Sequence, residues 1–179
     1  MIETERLFVR PWRDSDREPF AAMGRDPQVM ATLGPLMTRA QSDAAVDRMM
    51  RLQARDGCCF WAVERKQDGA FLGLCGVKTE AAAPHLEGEI EIGWRLRSDA
   101  WGQGYAREAA AASLAWGFAN LPNPRIIAIT TPGNIRSWGL MERLGMRRLA
   151  DGDFDHPAVP DGDPLKAHIT YAAIRPETD

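Results

Sequence analysis

An alternating polar and apolar run, Glu89-Ile90-Glu91-Ile92-Gly93-Trp94-Arg95-Leu96, leads into Trp101-Gly102-Gln103-Gly104-Tyr105-Ala106 and then into an alanine-rich segment. The chemistry open to such a stretch is anion binding. Small residues let backbone N–H groups approach oxygen atoms closely, and a helix starting on the glycines adds the partial positive charge of its first turn. Two glycines alone would equally serve a turn that only changes direction. A dinucleotide fingerprint is excluded, because Arg107 fills the third glycine position and no acid follows about 20 residues later to hold a ribose. A phosphate loop of the Gly-Lys-Ser/Thr kind is excluded for want of that ending.

Other residues could move protons. Glu89 and Glu91 lie two apart, on one face of the strand the alternation predicts. Either could take a proton from a reacting amine, directly or through a water, and either could be a solvent-facing carboxylate. Asn134 stands where a helix begins and is a natural N-cap. Ser137, three residues on, is a hydroxyl in a first helical turn, either solvated and capping or free to donate a hydrogen bond. His156 and His168 read as hydrogen-bonded structural histidines. The acids Asp151, Asp153, Asp155, Asp161 and Asp163 start like a calcium loop, but His156 stands at the turn glycine and Gly162 at the closing glutamate. No metal is expected. This run reads as a solvated hairpin, with a weaker second reading as an attractor of a cationic acceptor.

These residues need elements to position them. Arg6 to Arg10 predicts a short first strand stopped by Pro11, and Ser15-Asp16-Arg17-Glu18 the start of a helix to about Met23. Gly24 to Met37, with Pro27, Gly34 and Pro35, reads as loop. Thr38-Arg39-Ala40-Gln41 opens a second helix that Asp56-Gly57 ends. Phe60 to Glu64 and Phe71 to Val77 flank Asp68-Gly69, a hairpin signal. Glu89 to Leu96 is the next strand, Tyr105 to about Phe118 a helix, and Arg125 to Thr130 a buried strand. Ile135 to Leu144 is a helix ended by Gly145, and Ile169 to Ile174 the last strand. Hairpins plus one βαβ unit predict an α+β fold around a single twisted, mixed, mostly antiparallel sheet of six to seven strands with about four helices.

Length and composition bound the rest. At 179 residues, 45% hydrophobic and 26% charged, the chain is expected to form one domain, 1–179, with its own core. A net charge of −3 gives no basic excess for a phosphate backbone, so nucleic acid is not an expected partner. The longest apolar run, Ala109 to Ala119, falls short of the about 20 residues a membrane span needs. The acidic start Met1-Ile2-Glu3-Thr4-Glu5 is unlike a signal peptide. Cys58, Cys59 and Cys75 lack disulfide or zinc spacing and read as reduced core residues, which places the expected location in the cytoplasm.

Several segments together resemble the GNAT superfamily of acyl-CoA-dependent N-acetyltransferases, in the branch of the ribosomal-protein alanine acetyltransferases. They are Thr4-Glu5-Arg6-Leu7 with Arg10-Pro11-Trp12, Glu91-Ile92-Gly93-Trp94, and Trp101 to Ala106 with Glu108-Ala109. Asn134, Ser137 and Met141 to Met146 follow, and Asp153 to Pro157 with His168 and Tyr171 close the series. The resemblance spans nearly the whole chain.

It implies a GNAT fold with a splayed strand pair, and acetyl-CoA as co-substrate. The pyrophosphate would sit on the backbone of Trp101, Gly102, Gln103, Gly104, Tyr105 and Ala106, where Trp101 replaces the family's usual Arg or Gln. Trp94 and Leu96 would offer backbone groups to the pantetheine arm, and Asn134 a side chain to coenzyme A. Glu91 would be the general base. Many members place a tyrosine at the position of Met141 to serve the leaving thiolate. Met141 cannot donate, and in the resembling branch Ser137 takes the role. The acceptor would be a primary amine, on a protein N-terminus or a small molecule, and the assembly a monomer or homodimer. A base matters more for some amines than others: deprotonating an ε-amine at pH 7 costs roughly 4.6 kcal/mol, an α-amine about 1.1 kcal/mol. A non-catalytic acyl-CoA-binding or sensing domain is the alternative that Met141 leaves open.

Overall fold

The computed structural model describes residues 1–176; the last three positions of the expected 1–179 unit lie outside them. Among the described residues are nine strands, β1 Ile2–Glu3, β2 Leu7–Arg10, β3 Phe60–Arg65, β4 Phe71–Lys78, β5 Ile90–Leu96, β6 Arg125–Thr130, β7 Arg147–Arg148, β8 Phe154–Asp155 and β9 Ala167–Ile174. Five α-helices join them, α1 Arg17–Gly24, α2 Pro27–Met30, α3 Arg39–Asp56, α4 Tyr105–Asn120 and α5 Ile135–Arg143. The class is the expected one. The counts exceed six to seven strands and four helices because β1, β7 and β8 are two-residue pairings and α2 is a single turn, elements too short for any periodicity to announce.

The sheet runs β1-β2-β3-β4-β5-β6-β9-β7, with β8 paired to β9. Its pairs are antiparallel except β5 with β6. That exception follows from α4, whose crossover returns the chain in the same direction. Local signals explain the flanking elements. Thr38 and Gln41 close a reciprocal capping box at α3, and Gly57 ends it at φ 74°. Gly69, at φ 70°, turns the β3–β4 hairpin. The first helix departs from expectation. Ser15 is not its cap; Asp16 turns inward and grips Arg10 with both oxygens, at 2.8 and 2.9 Å. Arg10 is only 4% exposed and also meets Glu64, so this buried ion cluster ties β2 and β3 to the start of α1.

Alternation divides the sheet into two unlike faces. α4 covers one, where Cys75 lies 3.7 Å from Ser113 and Gly117 packs so closely on Ile126 that a Cβ would collide. Ile90, Ile92 and Leu96 are buried on that side. The other face carries Glu91, Gly93 and Arg95. It is roofed by α1 and α3, which meet it through Trp12, Phe20 and Phe71 rings and through Arg48–Glu80 and Thr79–Asp56 contacts. The three cysteines are buried and free.

Candidate active site

The sheet opens beside β5. β5 and β6 pair only at Ile90–Ile126 and Glu91–Ile127, although β5 continues to Leu96 and β6 to Thr130. Arg97 N–H donates to Leu72 O at 2.8 Å, and antiparallel pairing alternates, so residues 95, 93 and 91 direct their backbone groups to β4. Ile92, Trp94 and Leu96 therefore direct theirs toward β6, past the point where the strands part. This is the edge expected for Trp94 and Leu96, with one amendment: Leu96 O already accepts from Trp101 Nε1 at 2.9 Å. What remains is a wedge lined with strand-like backbone groups.

The wedge runs toward the first turn of α4. Gly102 and Gly104 adopt φ 73° and 82°, left-handed values that glycine reaches without strain, and Gly104 is the residue before the helix. None of the backbone N–H groups of Gly102, Gln103, Gly104, Tyr105 and Ala106 donates to a described residue. Several free donors at a helix start make an anion cradle. The side chains around it hold the loop in shape. Gln103 Nε2 donates to Asp99 O at 3.0 Å. Arg6 donates to Gln103 O at 2.9 Å, pairs with Glu108 at 2.7 Å and lies over the Tyr105 ring. Thr4 also donates to Glu108, at 2.6 Å. Arg136 stacks 4.7 Å from the Trp101 ring, so α5 brings a cation beside Trp101. Arg136 carries no motif of its own, and Arg6 lies in the opening Thr4-Glu5-Arg6-Leu7 segment, far from the loop in sequence; only the fold brings them here.

On the opposite face the two candidate bases are not the solvated carboxylates they could have been. Glu91 Oε2 lies 2.8 Å from Lys78 Nζ, with side-chain exposures of 12% and 7%. The residues are direct cross-strand partners. The ammonium lies off the line a hydrogen bond requires, since Oε2 has no hydrogen-bond partner; the contact is an ion pair held by charge. Lys78 donates instead to Glu80 O at 2.5 Å and faces the Phe60 ring. Glu89 is held by Arg125, Nε to Oε1 at 3.0 Å, which fixes it at the start of β6 and makes it a structural partner. Lys78 belongs to no motif, and a lone lysine ending an apolar strand is its one signal in the sequence.

Asn134 caps α5, its side chain accepting from Ser137 N–H at 3.3 Å. The Ser137 hydroxyl makes no hydrogen bond to a described residue, so the capping role belongs to Asn134 and the hydroxyl stays available. Met141 is 1% exposed and part of the core. Trp138 donates to Pro132 O at 3.1 Å. The three histidines gather around Phe154, with His85 at 4.5 Å, His168 at 5.6 Å and His156 at 6.2 Å between ring centres. Burial, then the neighbouring His168, Lys78 and Lys166 charges, push His156 below its ordinary value. A cleft of about 350 Å³, lined by residues including Pro132, Asp153, Phe154 and His168, opens beside this cluster. Among the described residues no group of three or more His, Cys, Asp or Glu is arranged to hold a metal ion.

Fold and site together define an acetyltransferase of the GNAT class. The family model for the acetyltransferase (GNAT) domain matches residues 6–147, and the chain belongs to that family. Its relatives include the Bacillus subtilis N-acetyltransferase YnaD, itself uncharacterised, 38% identical over 98% of both chains. A GNAT-family acetyltransferase from Bacillus anthracis is 28% identical, with a TM-score of 0.77 over 97% of this chain and 98% of the other. The fold is also that of RimL, the ribosomal L7/L12 α-N-protein acetyltransferase solved with coenzyme A. RimL is 15% identical, with a TM-score of 0.75 over 96% of this chain and 95% of its own.

Proposed function

We propose that this chain, acting as one catalytic domain in the cytoplasm, moves an acetyl group from acetyl-CoA directly to a primary amine. The acceptor is a protein N-terminal α-amine or a small-molecule amine. The observation that carries this reading is the continuity of the wedge and the cradle. Free strand-like backbone groups at Trp94 and Leu96 lead to five free N–H donors over 102–106, a track that fits an extended amide-bearing arm ending in a diphosphate. Asn134, at the head of α5, offers its remaining amide donors to the same substrate.

Each chain residue then has a defined task. Trp94 and the Leu96 N–H hold the arm in register, and Gly102 to Ala106 hold the diphosphate; the Trp101 N–H, expected to share in this, already donates to Ser98 O at 3.3 Å. Where the strands part, Glu91 takes the proton of the attacking amine, directly or through a water, using the oxygen that Lys78 does not engage. Lys78 keeps that carboxylate at a fixed position beneath Phe60. Ser137 donates a hydrogen bond to the sulfur as it leaves, the work Met141 cannot do. The geometry needs no covalent enzyme intermediate, since no Cys–His or Ser–His pair is placed among the described residues.

The test has two stages. Calorimetry with coenzyme A and acetyl-CoA should show saturable binding; no heat with either would remove the cradle. Thiol release should then rise above background when amines are added. Binding without amine-dependent release would make the chain an acyl-CoA sensor.

A further inference from the structure

Arg95 shares the Glu91 face of β5, four residues further along, and is partly buried. Its Nη1 lies 3.5 Å from Met37 Sδ, a weak acceptor. Met37 itself is fixed, its N–H donating to Gly24 O at 2.9 Å and its side chain resting on Gly24 at the end of α1. The guanidinium is therefore roofed by the segment joining α2 to α3. No carboxylate among the described residues pairs with it, whereas the other charges of this stretch cancel in pairs: Lys78 with Glu91, Arg125 with Glu89, Arg48 with Glu80. Burial alone pushes Arg95 below its ordinary value. An arginine does not escape by giving up its proton, so the desolvated charge persists until an anion meets it.

Resting on the amine-acetylation reading above, we infer that Arg95 is a specificity residue that binds a carboxylate of the acceptor. The acceptor is then an amine that also carries a carboxylate, such as an amino acid or a short peptide with a free C-terminus. One uncompensated charge matches a monoanion, and the planar fork matches the two oxygens of a carboxylate. Glu91 and Arg95 are about 13 Å apart at the backbone, at roughly 3.3 Å per strand residue. An acceptor that meets both residues must therefore have its amine and carboxylate separated by several bonds. A polyamine, cationic throughout, meets repulsion here.

Matched acceptors test this: triglycine, triglycinamide and spermidine in a thiol-release assay with acetyl-CoA. The native enzyme should favour triglycine over its amide by tenfold or more in kcat/KM, through KM. Arg95→Met should close that gap, and Arg95→Lys should restore part of it. Both variants should bind coenzyme A as the native chain does, and Arg95→Met should melt no lower, because it removes a cation that no carboxylate meets. Equal use of triglycine and its amide by the native enzyme, or a gap that survives Arg95→Met, overturns the inference. Should no amine support release at all, the transfer reading fails, and thermal shift with N-acetyltriglycine against its amide still judges Arg95. Stabilisation by the acid alone, lost in Arg95→Met, supports the carboxylate subsite; equal shifts overturn it.

Discussion

Glu91 and Lys78 admit a test that separates chemistry from architecture. Both side chains are largely buried and 2.8 Å apart. Lys78→Met would strand the Glu91 carboxylate without its cation. Breaking a buried pair from one side costs about 3–5 kcal/mol. Glu91 keeps 12% of its side-chain surface in water, so the low end, about 3 kcal/mol, applies. For a chain of this size that is a loss of roughly 6–12 °C in Tm. Replacing both residues, Lys78→Met with Glu91→Leu, should recover most of it, because two apolar side chains of similar volume need no counter-charge. Glu91→Gln asks the chemical question. Below its melting temperature it should bind acetyl-CoA normally while kcat falls by about 10²–10⁴, the range a positioned general base supplies. Calorimetric melting and initial-rate thiol release measure the two halves independently. A Tm change under about 1 °C in Lys78→Met would refute the buried-pair argument. Native turnover in Glu91→Gln would refute the base assignment and leave the glutamate a cross-strand partner of Lys78 only.

Four further outcomes follow from particular residues. Gly104→Val forces a branched side chain to φ 82° and should cost about 1–3 kcal/mol of stability. It should also raise the coenzyme A Kd tenfold or more by calorimetry, and an unchanged Kd would remove the cradle. Ser137→Ala should lower turnover by one to two orders of magnitude with no change in Tm, since its hydroxyl holds nothing in the fold; a fall in Tm with native turnover would reverse the assignment. His156 is held below the ordinary 6.5 by burial and by His168, so the unfolded chain takes up its proton first as pH falls. Stability should therefore be full above about pH 6.5 and decline below it, a slope that His156→Phe should flatten in melts across pH 5–8. The Cys58 thiol is pushed up to about 11, and the Cys59 and Cys75 thiols to about 12, by burial. A thiol reagent at pH 8 should leave the native chain unmodified and label it only after denaturation.

What could be read in advance, and what could not, divides along sequence distance. The Thr38–Gln41 capping box, the Asp68-Gly69 turn, the glycines of the cradle and the Asn134 cap are each decided within a few residues, and each formed as its local chemistry required. The departures come from partners far apart in the chain. Ser15 does not cap the first helix: Asp16, which accepts from Arg13 N–H, also meets the buried Arg10 that β2 brings alongside, with both oxygens. Alternation sets Glu89 and Glu91 on one face without saying what lies across from either, so it is the resemblance that favours Glu91. Register supplies the difference, setting Lys78 of β4 opposite Glu91 and leaving Glu89 to Arg125 at the start of β6. Arg95 shows the same limit from the other side: in sequence it is one arginine among many, and only the packing of α1 and Met37 above it reveals a charge without a counter-charge. The same register that assigns Glu91 an ion-pair partner leaves Arg95 without one, so the charge pattern of this face is a property of strand pairing.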